Sequence, residues 1–126
     1  MPEIITKNCP FCQPEEVILE NELAFVIYDR FPVSPGHMLV ITRRHVSDLF
    51  DSTPAERQAV NDLLEEAKAL LDRRYHPDGY NVGVNCGEAA GQTIMHLHIH
   101  LIPRYRGDMP NPRGGVRGVI PGKQKY

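Results

Sequence analysis

The segment 91–103 carries histidines at alternate positions. Its histidines are His96, His98 and His100, and the residues that follow each of them are Leu97, Ile99 and Leu101. Strict alternation has the period of a β-strand, so we expect three imidazoles on one face and three aliphatic side chains in the core. A neutral imidazole is a nucleophile, a proton carrier and a metal ligand near physiological pH. We therefore expect this segment to carry the chemistry of the protein.

Two cysteines near the start of the chain have the spacing of a metal knuckle. Cys9 and Cys12 are separated by two residues, and no second Cys-x-x-Cys pair follows, so further ligands must come from a distance. The alternative is a redox pair, but no thioredoxin-like βαβ pattern surrounds the cysteines, and Pro10 in an extended segment fits a metal knuckle better. Cys86 has no partner in sequence and is interpreted as a core or loop residue.

Short strands are predicted on both sides of one long helix. Two prolines and a glycine make 29–36 a loop, and residues 104–126, rich in Gly, Pro, Arg and Lys, read as an ordered arm or a mobile tail. Residues 1–14 read as extended, 45–50 as a short helical turn and 87–91 as a loop. The predicted strands are 17–20, 23–28, 37–42, 80–85 and the histidine segment.

The best helix signal in the chain begins at Thr53. Thr53 and Glu56 form a Thr-x-x-Glu capping box with Pro54 at the first helical position, and the predicted helix runs to about Tyr75. An apolar stripe at helical spacing is interpreted as core or subunit interface. The stripe comprises Val60, Leu63, Leu64, Ala67, Leu70 and Leu71.

Composition indicates an ordinary globular protein. The chain has 126 residues, 41% hydrophobic and 24% charged, and a formal net charge of −2. That charge gives no reason to expect a duplex nucleic acid or an anionic membrane as partner, and the lone cysteine pair lacks a recognition helix nearby. We find no secretory signal and no apolar run of membrane-spanning length, so we expect a cytoplasmic protein with one domain over 1–126, in which 104–126 form a C-terminal arm.

The order of these features resembles the histidine triad (HIT) family. The likeness covers about residues 9 to 103: the Cys-x-x-Cys start, Asp29 and the loop to His37, a long helix, Asn85, and Gly91-Gln92-Thr93 before the triad. It implies an α+β fold with an antiparallel sheet of about five strands, one long and one short helix, and a sheet continued across a homodimer. It also implies an enzyme that hydrolyses nucleotides or transfers nucleotidyl groups.

The resemblance divides the work among the histidines. It implies that His98 attacks the α-phosphorus and forms a nucleotidyl-histidine that water then cleaves. The family fixes the tautomer of this ring through a backbone carbonyl. His100 resembles the phosphate-contacting histidine, and His37 resembles a fourth histidine that supports the triad from behind.

The resemblance also implies a substrate site. Asp29 matches the residue that binds the ribose hydroxyls, and Asn85, Gln92 and Thr93 match positions that contact phosphate or the leaving group. The alternatives are a turn residue for Asp29 and loop capping for Gln92 and Thr93. Phe11, Ile27 and Tyr28 fall where the family builds its base pocket, although plain core positions explain them almost as well.

The resemblance to a zinc-bearing branch of the family indicates which residues complete the metal site. By resemblance these are Cys9, Cys12, His45 and His96, a closed set of four that makes the zinc structural. Its role is to tie the N-terminal segment to the histidine strand, and it keeps His96 away from catalysis.

Several functions remain open at this point. The leading candidates as substrates are dinucleoside polyphosphates and adenosine phosphoramidates, with an adenosine-preferring site. Phosphorolysis, with inorganic phosphate as acceptor, is an alternative to hydrolysis, and a zinc-stabilised binding module without turnover is an alternative to an enzyme. The basic arm either reaches polyphosphate or stabilises the dimer.

Overall fold

A computed structural model describes residues 8–126 of the protein, and the part of the predicted extended segment before Asn8 lies outside the described residues. One α-helix and five strands form the framework, with short 3₁₀ turns at 49–51, 88–90, 115–119 and 121–123. The elements are β1 (Leu19–Glu20), β2 (Ala24–Tyr28), β3 (Met38–Thr42), α1 (Pro54–Tyr75), β4 (Gly79–Gly83) and β5 (His98–Arg104). The predicted α+β class and strand number are confirmed, and the predicted short helix is the 3₁₀ turn at 49–51.

All strand pairs are antiparallel, in the order β1-β2-β3-β5-β4. β3 lies in the middle of the sheet, and all five of its residues are buried. The largely apolar sequence of β3 explains this place, since a central strand is covered on both faces.

Helix α1 begins as its sequence predicts. The hydroxyl of Thr53 accepts from the backbone N–H of Glu56, and the Glu56 carboxylate accepts from the N–H of Thr53, which completes the capping box. The same carboxylate accepts two hydrogen bonds from Arg44, at 2.8 and 3.0 Å. Burial against the sheet confirms the apolar stripe as core, and the buried residues of the stripe are Val60, Leu63, Ala67 and Leu71.

The sheet has two different faces. On the helix face, which α1 covers, Val26, Val40 and Ile99 belong to the main core. Alternation turns their neighbours to the opposite face, where Phe25, Leu39 and Ile41 pack with Cys9 and Phe11. We call this second face the site face.

The histidine strand begins later than predicted. β5 begins at His98, and the backbone N–H of Leu97 bonds to the carbonyl of Val46 instead of to a neighbouring strand. From there the alternation is regular: Leu101 and Ile99 face α1, while His98 and His100 pair with Ile41 and Leu39 on the site face. His96 therefore precedes the strand and is free to take a different role.

The C-terminal arm, residues 104–126, is ordered into two 3₁₀ turns. The guanidinium carbons of Arg113 and Arg117 lie 5.0 and 4.9 Å from the ring centre of Tyr126. The side chain of Gln124 donates to the carbonyl of Arg113, so the end of the arm folds back on its middle. Within residues 8–126, no helix is long and apolar enough to cross a membrane.

Candidate functional site

The ring of His98 is held in one tautomer. Its Nδ1 atom lies 2.8 Å from the carbonyl oxygen of His96, and a carbonyl only accepts, so Nδ1 carries the proton. In the neutral ring, Nε2 then keeps its lone pair. This lone pair on the half-buried His98 has the chemistry that a nucleophile needs.

A second group of side chains surrounds the imidazole of His96. Cys9, Cys12 and His45 meet it there, and the four ligand atoms all lie within 4.8 Å of one another. The Nδ1 atom of His96 is 3.3 Å from the sulfur of Cys9, 3.6 Å from that of Cys12 and 3.2 Å from Nδ1 of His45. The predicted ligand set thus comes together from three distant parts of the chain.

This cluster has the chemistry and the spacing of a zinc site. In a tetrahedral zinc site with two sulfur and two nitrogen ligands, neighbouring ligand atoms are roughly 3.3–3.8 Å apart. The Nε2 atom of His96 donates to the carbonyl of Thr42 at 2.7 Å, which leaves the lone pair of Nδ1 directed at the cluster. Burial lowers the pKa of His96 and keeps the ring neutral, as metal binding requires. Burial also raises the pKa of the Cys9 thiol, so a thiolate there needs a cation beside it.

A third group joins His37 and His100. The backbone N–H of Val33 donates to Nδ1 of His37, so Nε2 of the neutral ring carries the proton. Nε2 of His37 lies 2.9 Å from Nδ1 of His100 and donates its hydrogen to it, so the neutral ring of His100 carries its own proton on Nε2. One backbone amide thus fixes both tautomers, and His100 presents a donor suited to a phosphate oxygen.

Both of these rings are neutral at physiological pH. Burial lowers the pKa of His37, opposed by the nearby carboxylate of Asp29. Burial also lowers the pKa of His100, and the neighbouring His98 and His37 add to the effect. The carboxylate of Asp29 lies 3.4 Å from Nε2 of His37 and 3.9 Å from Nδ1 of His100.

The group of Asp29, His37 and His100 is less suited to a metal than the cysteine cluster. The contact between the two rings is a hydrogen bond, and it uses the lone pair of His100 Nδ1 and the proton on His37 Nε2. A cation here would have to displace that proton, and the N–H of Val33 holds the tautomer that carries it. We therefore interpret this group as a chain of hydrogen bonds.

A cavity of about 410 Å³ opens on the site face. Phe11, Ile27 and Asp29 line it together with Leu39, Ile94 and the exposed Phe31. The ring of Phe11 also lies 4.9 Å from that of His98, so Phe11 contacts both the cavity and His98. The apolar walls and the carboxylate are suited to a base and a ribose.

Tyr28, a predicted base-pocket residue, also contacts α1. It borders the cavity, but its hydroxyl accepts from Arg74 of α1 at 3.2 Å, and alternation places its side chain on the helix face. Tyr28 therefore connects the sheet to the end of α1, and the base-pocket role fits Phe11 and Ile27 better.

Gln92, predicted to contact phosphate or the leaving group, also has partners within the protein. Its carbonyl oxygen accepts from the N–H of Gly87, and its amide donates to the carbonyls of Ser47 and Ile94. Both amide hydrogens are used, so no donor is left for a phosphate oxygen in this arrangement. The alternative of loop capping matches these contacts.

Asn85 and Thr93 remain available for a ligand. Gly83, the last residue of β4, pairs with His100, and Asn85 follows two residues later along the chain. Thr93 is exposed. Among the hydrogen bonds of residues 8–126, neither side chain takes part.

Sequence reasoning missed several contributors to this site. The carbonyl of Thr42 and the amide of Val33 are backbone groups, which every residue carries and no sequence pattern marks. Leu39 had a usable signal, since it lies two residues after His37 in an alternating strand.

A larger cavity lies away from these histidines. It measures about 510 Å³ and lies between β4 and the arm, next to Tyr80, Arg104 and Met109. Arg104 there is already bonded to Asp108 and Asn81. The smaller cavity is the one whose wall, Phe11, packs against the ring of His98, so we place the candidate site there.

Comparison with known proteins identifies the family. A family model of the HIT domain matches residues 11–107, which is most of the chain. The chain belongs to the HIT family.

HIT relatives with and without named activities align with this chain. An uncharacterized HIT-like protein from Mycoplasma pneumoniae is 38% identical over 104 residues, covering 78% of this chain and 72% of its own length. A protein from Mycobacterium tuberculosis named AP-4-A phosphorylase is 34% identical, over 73% of this chain and 48% of its own length. A bis(5'-nucleosyl)-tetraphosphatase from Schizosaccharomyces pombe is 32% identical, over 74% and 51%. The expectation of a HIT-type enzyme is confirmed at this level.

Solved HIT structures share the fold. A HIT family protein from Bacillus anthracis superposes with a TM-score of 0.76 at 33% identity, covering 81% of this chain and 77% of the other. A zinc-bound histidine triad family protein from Mycobacterium smegmatis gives 0.74 at 33% identity, covering 82% and 80%. The predicted HIT fold is confirmed, and the second structure shows that a protein of this kind binds zinc.

Proposed function

We propose that this protein is a nucleotidyl hydrolase or transferase that cleaves nucleotide substrates at the α-phosphate through an intermediate on His98. The supporting observation is the hydrogen bond from Nδ1 of His98 to the carbonyl of His96, which leaves the lone pair on Nε2. Dinucleoside polyphosphates and adenosine phosphoramidates are the proposed substrates, because the cavity beside His98 has apolar walls for a base and the Asp29 carboxylate for ribose hydroxyls.

In the first step, Nε2 of His98 attacks the α-phosphorus. A phosphorus–nitrogen bond forms, and the bond to the leaving group breaks with its electron pair on a departing oxygen, or on a departing nitrogen that takes up a proton from solvent and leaves as an amine. The Nε2–H of His100 donates to a phosphoryl oxygen, whose charge grows during the transfer. His37 holds His100 in the donating tautomer. Asn85 and Thr93 are proposed as further contacts of the phosphates or the leaving group.

In the second step, an acceptor attacks the nucleotidyl-histidine. Water gives a nucleoside monophosphate, and inorganic phosphate gives a nucleoside diphosphate. Either acceptor loses a proton, and the phosphorus–nitrogen bond breaks to restore His98. Both outcomes stay open, because one relative is named as a phosphorylase and another as a tetraphosphatase.

Cys9, Cys12, His45 and His96 are proposed to hold a structural zinc ion. The four donors are two sulfurs and two ring nitrogens that lie within 4.8 Å of one another. A zinc ion there ties the N-terminal segment to the start of β5, and four protein ligands leave no position for substrate. A homodimer and a cytoplasmic location complete the proposal.

Product analysis tests the proposed function. A panel of dinucleoside polyphosphates and adenosine phosphoramidates is incubated with the wild type and with His98→Ala, with and without inorganic phosphate. We expect nucleoside monophosphate from the wild type and a nucleotidyl-protein trapped by an alkaline denaturing quench, because the phosphorus–nitrogen bond to histidine is labile in acid. A nucleoside diphosphate that appears only with phosphate would assign phosphorolysis. Equal turnover by His98→Ala would exclude the mechanism, and AMP binding by the wild type without turnover of any panel member would favour a binding module.

A further inference from the structure

Phe11 connects three parts of the candidate site. The residue lies between Cys9 and Cys12 in the chain and is buried. Its ring centre is 4.9 Å from that of His98 and 6.0 Å from that of His96, the latter in an edge-to-face arrangement. The same side chain lines the cavity beside Ile27.

The segment that carries Phe11 is fastened at both ends to the metal cluster. The sulfur of Cys9 lies 3.3 Å from Nδ1 of His96, and that of Cys12 lies 3.1 Å from Nδ1 of His45. The N–H of Cys12 bonds to the carbonyl of Cys9 at 3.3 Å, which closes a tight turn. With both ends fixed, the position of Phe11 follows from the geometry of the four ligands.

The ring of His98 needs this contact. Its hydrogen bond to the carbonyl of His96 fixes one edge of the imidazole. The rings of Phe11 and His100 pack against it at centroid distances of 4.9 and 5.3 Å, and of these two only Phe11 belongs to the cysteine-bounded segment. Nucleophilic attack requires the lone pair to point along the bond that forms, so a small tilt reduces the rate.

We propose that the cysteine-bounded segment 9–12 is a positioning device in which metal binding presses Phe11 against both His98 and the base cavity. Occupancy of the four-ligand cluster then sets nucleotide affinity and the orientation of the nucleophile, and Phe11 is the positioning residue that transmits both. This inference rests on the proposed function, since it assumes that nucleotide binds in the cavity.

A set of four full-length proteins tests the device: the wild type, Phe11→Leu, His45→Ala and the double variant. His45 is suited to the test because it is a proposed metal ligand far from Phe11 in sequence. Dissociation constants for AMP are measured by calorimetry, zinc content by atomic emission and folding by circular dichroism. We expect Phe11→Leu to keep its zinc and to bind AMP about three- to ten-fold more weakly, as the loss of one aromatic contact implies.

The double variant decides whether metal acts through Phe11. We expect His45→Ala to lose zinc and to weaken AMP binding by a similar factor, and the double variant to be no weaker than His45→Ala alone. If instead the two factors multiply in the double variant, Phe11 is not the link and the inference is wrong. Ile27→Ala serves as the matched control, since Ile27 lines the same cavity outside the segment. The factor by which it weakens AMP binding should multiply with the factor of His45→Ala when the two are combined.

A second measurement keeps the inference testable if His45→Ala does not fold. In zinc-loaded proteins, we expect Phe11→Leu to lower kcat and raise KM, Ile27→Ala to raise KM alone, and Phe11→Tyr to restore kcat. Equal kcat in Phe11→Leu and Ile27→Ala would overturn the positioning role. If the wild type turns over nucleotide but the variants do not change kcat and KM as expected, only this inference is wrong. If the wild type neither binds AMP nor turns over nucleotide, the proposed function is wrong as well.

Discussion

His98 donates its Nδ1 proton to the carbonyl of His96, and the side chain of that same His96 reaches into the cluster of cysteines. One residue thus contributes its backbone to the candidate nucleophile and its ring to the candidate metal centre. The two sites are adjacent in the chain but use different atoms, so they can be separated by mutation.

Replacement of His98 should abolish turnover and leave the metal in place. We expect His98→Ala to lower kcat by more than about a thousand-fold, as removal of a nucleophile does in other enzymes. Its zinc content should equal that of the wild type, because no atom of the His98 ring belongs to the cluster. Zinc analysis beside steady-state kinetics checks both, and loss of zinc in His98→Ala would contradict the division of labour.

Replacement of a cluster cysteine should release the metal. Cys9→Ser exchanges a buried thiolate ligand for a poorer one, so we expect a protein with little zinc and a lower melting temperature. Cys86→Ser is the matched control, since Cys86 is free and lies outside the cluster. Atomic emission and thermal unfolding of both variants check the prediction, and equal zinc content would count against the proposed ligands.

Acid should destabilise the fold through His37 and His100. Burial lowers the pKa of both rings in the folded protein, so the unfolded chain binds protons first as the pH falls below about 6.5. The contribution of each ring to the free energy of unfolding is therefore complete above that pH. It is lost as the pH falls further, by at most about 1.4 kcal/mol per pH unit for each group. Denaturant unfolding between about pH 7 and pH 5 should show a shallower dependence in His100→Asn. An unchanged slope would mean that His100 protonates equally well in both states.

Loss of Glu56 should destabilise α1 without affecting chemistry. Glu56 is buried, completes the capping box and accepts two bonds from Arg44. We expect Glu56→Ala to lower the free energy of unfolding by about 1–3 kcal/mol, and Thr53→Ala, which removes the cap alone, by about 1 kcal/mol. Chemical denaturation measures the free energy of unfolding of both variants, and activity assays check that turnover is unchanged. A larger loss of stability in Thr53→Ala than in Glu56→Ala would contradict the prediction.

A side chain at Gly36 should disturb His37. Gly36 has a φ of +88°, and an added Cβ would lie 2.9 Å from Cδ2 of Leu71 and 3.2 Å from the ring of Tyr75. We expect Gly36→Ala to cost about 1–3 kcal/mol and to reduce turnover by moving the adjacent His37. Gly79→Ala is the control, because nothing lies within 4 Å of its Cβ position. Similar stability of the two variants would show that the loop relaxes freely.

Local sequence signals predicted the fold well. The Thr53 capping box and the apolar stripe of α1 agree with the structure, because both depend on neighbours within a few residues. The start of β5 was predicted too early, since alternation continues through His96 while the strand ladder does not. The bond from Leu97 to Val46 replaces that ladder, and a contact 51 residues away leaves no trace in local periodicity.

The candidate site was predictable in its side chains and not in its backbone. The histidines and cysteines are marked by type and spacing, and the structure brings the expected groups together. The contacts of Gln92 with the Gly87 loop and of Tyr28 with Arg74 could not be predicted from the sequence, because these partners become neighbours only in the folded chain. The donors and acceptors that fix each tautomer are backbone groups of Val33, Thr42 and His96, which only the fold selects.

The two-faced sheet has a consequence for how this protein can diverge. Val40 and its neighbours on the helix face carry the core, while Leu39 and Ile27 on the other face line the cavity. Successive residues of one strand therefore have different roles, one in the core against α1 and the next in the wall of the cavity. Cavity residues can be exchanged for others of similar size, and the substrate range altered, while the residues that hold α1 to the sheet stay as they are. A directed-evolution library at Ile27 and the exposed Phe31 would therefore vary the cavity and leave the residues that hold α1 to the sheet unchanged.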